Sequence, residues 1–106
     1  MTDILGTQAF EQAIQANKLV IVDFWAPWCG PCRMLGPVLE SLASSMSDQV
    51  DLIKINVDEA DNEALSIKYG ITSIPHVFFF KAGKQVGDFT GALPEVAVKD
   101  LISQHL

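Results

Sequence analysis

The sequence predicts an α/β fold, a central mixed β-sheet flanked by four helices in the order βαβαβαββα. Three observations predict it. Short runs rich in β-branched residues alternate with stretches whose apolar residues recur every three or four positions, as parallel crossover units require. The aromatic run Phe78-Phe79-Phe80 is followed by Ala82-Gly83 and a further run, Lys84–Thr90, which reads as a late antiparallel hairpin. The chain has 106 residues, 49% of them hydrophobic, with no linker or low-complexity tract, which suits one domain over 1–106 with its own core.

Each element has its own signal. Thr7 can cap a first helix running to about Asn17, with Phe10 and Ile14 one turn apart on its inner face. Lys18–Phe24 is dense in Val, Ile and Phe and reads as a buried strand, with Asp23 its one acid. Trp25–Gly30 is a loop, and Pro31 stands in the first turn of the second helix. That helix carries Met34, Leu35, Val38, Leu39, Leu42 and Met46 at helical spacing. Pro37 inside it removes one backbone donor and should kink it.

Val50–Val57 is the next strand, with Lys54 set among aliphatics, and a short helix follows from about Asp61 to Tyr69, stopped by Gly70. His76–Lys81 forms the first arm of the hairpin. Pro94 opens the last helix, with Val98, Leu101 and Ile102 turned inward.

Charge and hydropathy exclude whole classes of partner. Thirteen acids against 7 bases give a net charge of −6. No basic patch for a nucleic-acid backbone or an anionic membrane can be assembled from that balance. The first 17 residues lack the apolar centre of a secretory signal. The longest apolar runs, Leu19–Val22 and Val77–Phe80, fall far short of the ~20 residues of a membrane helix. The expectation is a cytoplasmic protein, where a purely structural disulfide would be unusual.

Both cysteines lie in one motif, Trp28-Cys29-Gly30-Pro31-Cys32, at the junction of the second strand and second helix. A C-x-x-C placed there is a redox signal with a mechanism. Cys29 would sit at the helix N-terminus, where unpaired N–H groups and the helix dipole favour a thiolate, the nucleophilic form. Cys32, one turn in, would be more buried and keep its proton longer. Cys29 would attack a client disulfide, and Cys32 would then attack the Cys29 sulfur and release the reduced client. Pro31 fixes the backbone between them, and Gly30 completes the loop.

At these residues the chain resembles the thioredoxin family. Trp25-Ala26-Pro27-Trp28-Cys29-Gly30-Pro31-Cys32 is similar to its active-site segment, and the likeness runs collinearly through the whole chain. Asp23 matches the family's buried acid, Pro37 its helix kink, Lys54 the lysine facing that acid, Ile74-Pro75 its cis-proline loop and Gly91 the glycine beside its substrate groove.

The resemblance implies a protein-disulfide reductase and electron carrier. Asp23 would take the Cys32 proton, Lys54 would temper Asp23 by pairing, and Trp28, Ile74, Pro75 and Gly91 would dock an extended client segment. It also implies a monomer recycled by a separate thioredoxin reductase, with clients such as ribonucleotide reductase, peroxiredoxin and methionine sulfoxide reductase. No Gly-rich nucleotide loop is present, so no cofactor beyond the cysteine pair is expected.

Other readings share some of these residues. An oxidant or isomerase of the same fold would normally carry a histidine-containing pair in place of Gly30-Pro31. A binding subunit would leave the thiols incidental. Cys29, Cys32, His76 and His105 give a zinc-like count, but the histidines lie far wider apart than in a zinc hairpin, so no metal is expected. His76 after the proline and Thr90 before Gly91 depart from the family's usual residues. A His76 ring near the dithiol would tune it, whereas one bonded within its strand would not. Trp25 reads as core support, and His105 as a helix cap or a solvated residue.

Overall fold

The computed structural model describes residues 1–106. Its elements are β1 (Thr2–Asp3), α1 (Thr7–Ala13), β2 (Leu19–Trp25), α2 (Gly30–Ser45), β3 (Val50–Asn56), a 3₁₀ turn (Ala60–Asn62), α3 (Glu63–Lys68), β4 (His76–Lys81), β5 (Lys84–Thr90) and α4 (Glu95–His105). The order βαβαβαββα therefore holds, its leading strand being only Thr2–Asp3. The sheet runs β1-β3-β2-β4-β5, with β1, β3 and β2 parallel and β4 and β5 antiparallel.

Alternation along the strands builds a core on each face of this sheet. Leu19 and Ile21 of β2, Leu52 of β3 and Val77 and Phe79 of β4 meet Leu35, Leu39 and Leu42 of α2 and Val98 and Ile102 of α4. Val20, Val22, Phe24, Phe78 and Phe80 face the other way, against Phe10 and Ile14 of the α1 segment and Leu65 of α3. The three consecutive phenylalanines thus serve both layers. By this alternation Asp23 shares the α2–α4 side with Leu19 and Ile21.

Several expected boundaries shift, each for a local reason. Thr7 is the first helical residue and supplies no cap. The cap position is Gly6, whose N–H donates to Asn62 Oδ1 at 2.8 Å. Asn62 is fully buried and also donates to the carbonyls of Ile4 (3.2 Å) and Asn56 (3.0 Å), so its amide ties β1, α1 and β3 together. α1 stops at Ala13 rather than near Asn17, and the Ile14 carbonyl is taken by the Gly83 N–H at 2.9 Å.

That bond reaches into the two-residue hairpin turn, where Ala82 and Gly83 both hold positive φ (51° and 82°), the twist that suits a tight hairpin. α2 passes through Pro37 without interruption of its helical run. Leu101 of α4 is half-buried and packs against the edge of the core rather than within it.

Candidate active site

β2 ends at Trp25, and the chain crosses Ala26-Pro27-Trp28 to enter α2 at Gly30. The Cys29 N–H donates to the Ala26 carbonyl at 3.1 Å, closing the turn. Cys29 is the N-cap residue of α2, and its sulfur accepts the Cys32 backbone N–H at 3.1 Å. An N-terminal helix amide aimed at a sulfur favours negative charge there. Pro31, the second residue of the helix, has no N–H to leave unpaired.

The two sulfurs form the Cys29–Cys32 disulfide, with Cα atoms 5.2 Å apart, and the chain has no other cysteine. Both residues are buried, Cys29 at 5% and Cys32 at 3% exposure, so the expected difference in burial is slight. They pack with Ala26, and with Trp25, Val57 and Ile74 at the edge of that cluster.

Around the pair, one wall is the Ile74–Pro75 segment, whose peptide bond is cis. The Ile74 carbonyl oxygen lies 3.7 Å from Cys29 Sγ. Behind it, the Gly91 N–H donates to the Pro75 carbonyl at 2.9 Å. Gly91 has φ +86° and open space where a side chain would stand, so glycine suits both its backbone and its clearance.

Trp28 forms the other wall, 66% exposed, and its Nε1–H donates to both Asp58 oxygens at 2.9 and 3.2 Å. Asp58 is itself set by an Asx turn, its N–H bonding Asn56 Oδ1 at 2.9 Å. A groove of about 430 Å³ extends from here, lined by Trp28, Asp58, Glu59, Glu63, Ile67 and Ile74 among others. Trp28 and Ile74 line this groove; Pro75 and Gly91 lie outside it. Asp58 and the exposed Ile67 carried no distinguishing sequence signal, because an acid in a loop and an apolar residue on a short helix are both common.

Asp23 lies beneath this surface, 1% exposed, with neither carboxylate oxygen hydrogen-bonded. Burial pushes its pKa from 3.8 up to about 7; Lys54 pulls it down and Glu40 adds to the rise. Lys54 is its register partner on β3, so the two face the same side of the sheet, as the resemblance implies. The expected Asp23–Lys54 pairing takes a different form. The Lys54 ammonium ion-pairs with Glu40 of α2 at 3.5 Å and sits 4.5 Å from the centroid of the Trp25 ring. Trp25 is partly buried and supports both the lysine and the cysteine cluster.

A Cβ on Gly36 would lie 3.5 Å from Lys54 Nζ and 3.6 Å from Glu40 Oε2. Cys32, Gly36 and Glu40 are spaced at i, i+4 and i+8, one stripe of α2. That stripe faces the Asp23–Lys54 side of the sheet, with Cys32 at its N-terminal end.

Of the two family departures, His76 pairs away from the dithiol. Its Nε2 is 2.8 Å from Asp88 Oδ2, and its ring stacks on Phe78 at 4.2 Å. The expected options for His105 give way to packing: its ring lies 5.4 Å from that of Phe79, and its carbonyl accepts Lys81 Nζ at 3.3 Å.

The geometry is a cysteine pair at a helix N-terminus, flanked by a cis-proline loop and an exposed tryptophan, over a buried acid. Residues 2–104 match the family model Thioredoxin. The chain belongs to the thioredoxin family. It is 43% identical over 96 residues to thioredoxin 1 of Synechococcus elongatus, covering 91% of this chain and 88% of that one. It is 41% identical over 106 residues to the thioredoxin of Bacillus subtilis, covering 100% of both.

Among solved structures, Fasciola hepatica thioredoxin superposes with a TM-score of 0.90 at 36% identity over 100% of both chains. Family membership and the Cys29–Cys32 disulfide make this protein a thiol–disulfide redox protein, a protein-disulfide oxidoreductase. No helix is long and apolar enough to cross a membrane.

Proposed function

We propose that the protein is a general protein-disulfide reductase, a single domain over 1–106 that acts as a cytoplasmic monomer. The observation that carries this reading is the Cys32 N–H directed at the Cys29 sulfur from the first turn of α2, beside the exposed Trp28. In the reduced protein that amide favours the Cys29 thiolate. The thiolate attacks one sulfur of a client disulfide, forming a Cys29–client bond and expelling the other client sulfur as a thiolate that takes up a proton. Cys32 passes its proton to the Asp23 carboxylate and attacks Cys29 Sγ. The Cys29–Cys32 bond forms, the Cys29–client bond breaks, and two electrons have moved to the client.

Ile74 offers its carbonyl to an extended client backbone, Trp28 and Pro75 give apolar contact, and Gly91 leaves room beside them. Gly30 and Pro31 hold the turn between the sulfurs, while Lys54 moderates the charge on Asp23. Regeneration falls to a separate thioredoxin reductase, with no bound cofactor on this chain. The clients are disulfide-containing proteins of the kinds the family serves, such as ribonucleotide reductase, peroxiredoxin and methionine sulfoxide reductase.

A single-turnover experiment tests this reading. The pre-reduced protein is mixed with an equimolar protein disulfide, and both partners are followed by intact mass. One client disulfide should open for each Cys29–Cys32 bond formed. A client that stays oxidised while the chain stays reduced would contradict the reading.

A further inference from the structure

We propose that Glu40 is a positioning residue for the proton-transfer step: its carboxylate holds the Lys54 ammonium against Trp25 and Gly36, and so keeps it off Asp23. The inference rests on the role given to Asp23 above. Two contacts locate the ammonium, namely Glu40 Oε2 at 3.5 Å and the Trp25 ring centroid at 4.5 Å, and the missing side chain of Gly36 leaves the space it occupies beside α2. Lys54 is nevertheless the residue opposite Asp23 in the parallel β2–β3 register, the position from which a lysine would ordinarily bond that carboxylate. The consequence is visible on Asp23, whose two buried oxygens have no hydrogen-bond partner.

The other neighbours do not replace Lys54. Across β4 the register partner of Asp23 is Val77, and the nearby α4 face is Val98 and Ile102. On β1 the residue opposite Lys54 is Asp3, exposed at the sheet edge and beyond the lysine from Asp23. The charged groups next to Asp23 and Lys54 on this side of the sheet are Glu40 and Asp3, and only Glu40 pairs with Lys54. Lys81 and His105 share the side but lie at its far end, where Lys81 is opposite Leu19 and donates to the His105 carbonyl.

A base for Cys32 must be ionised often enough to accept a proton and basic enough to want it, which places its best pKa near the working pH. A direct Lys54–Asp23 bond would leave Asp23 a permanently ionised, weak base. The unpaired carboxyl, pushed up to about 7, meets both demands. Glu40 thus acts through Lys54, two side chains removed from the sulfurs. As Glu40 is half-exposed, its exchange for Gln leaves the core intact.

The test is the carboxyl-carbon NMR titration of Asp23 in the oxidised full-length protein, where no thiol titrates. In Glu40→Gln the freed lysine swings to Asp23, and the midpoint should fall by about one pH unit. Glu40→Asp should keep most of the wild-type value. In a Lys54→Gln background, Glu40→Gln should have only a small effect. An unmoved or raised midpoint in Glu40→Gln, or an equal fall without the lysine, overturns the proposal.

A kinetic readout separates this from the role of Asp23. Ellman's reagent releases one thionitrobenzoate when Cys29 attacks and a second when Cys32 attacks, so the second phase reports the proton-transfer step. Its acid limb should move with the Asp23 midpoint. A titration that shifts while the second phase stays fixed overturns the Asp23 role, and with it the part of Glu40 in catalysis. An unmoved titration overturns the Glu40–Lys54 grip alone.

Discussion

In a Cys32→Ser variant, a client protein should remain covalently attached to Cys29. The serine hydroxyl cannot displace a thiolate from the Cys29–client bond, so the reaction halts after its first step. Intact mass should show a one-to-one adduct of the reduced variant with a disulfide client, released by an added dithiol. Catalytic turnover should fall to the uncatalysed background.

Cys29→Ser should form no adduct at all, because Cys32 lies inside the helix without an N-cap amide directed at it. This asymmetry follows from the cap geometry. Equal trapping by either single variant would show that the two sulfurs are interchangeable and that the cap bond does not select the nucleophile.

The second large effect concerns Asp23. An unfolded-chain aspartate has a pKa near 3.8, whereas burial in the fold pushes it up to about 7. Well below pH 3.8 the group is protonated in both states and costs nothing. As pH rises from about 4 through 7 the unfolded chain ionises first, so folded stability declines, and the loss levels off above pH 7. The penalty at its full extent is about 4 kcal/mol.

Asp23→Asn is neutral throughout, and its stability should therefore stay flat where the wild type declines. It should be the more stable protein at pH 8 by several kcal/mol. Denaturant unfolding of both oxidised proteins at pH 4, 6 and 8 measures this, and parallel pH profiles would contradict it. The same variant should slow the Cys32 step near neutral pH, which places the gain in stability and the loss of function at one residue.

Much of this was legible from local pattern. The C-x-x-C at a strand–helix junction, the acid inside an apolar strand and the hairpin turn each rest on residues close together in sequence, where spacing is informative. The parts that escaped depend on contacts across the chain. Thr7 looked like a cap because its hydroxyl suits the position, yet the loop is held by Asn62, 56 residues from Gly6.

Lys54 was rightly set opposite Asp23, but its ion-pair partner Glu40 comes from α2, and nothing in the strand pattern names it. The same holds for Asp58, whose bond to Trp28 spans 30 residues. For His76 the sequence left two options open, a ring near the dithiol or one bonded within its strand. The second holds: the pleat directs it to the side of Phe78, where Asp88 on β5 meets it.

The most direct measurement is the equilibrium reduction potential of the Cys29–Cys32 pair, titrated against a defined dithiol buffer and read by alkylation and intact mass. For a reductase it should lie below the cytosolic glutathione poise, roughly −220 to −260 mV by biochemical extraction. A potential well above that range would mean that the pair donates its disulfide instead, and would contradict the assignment as a reductant.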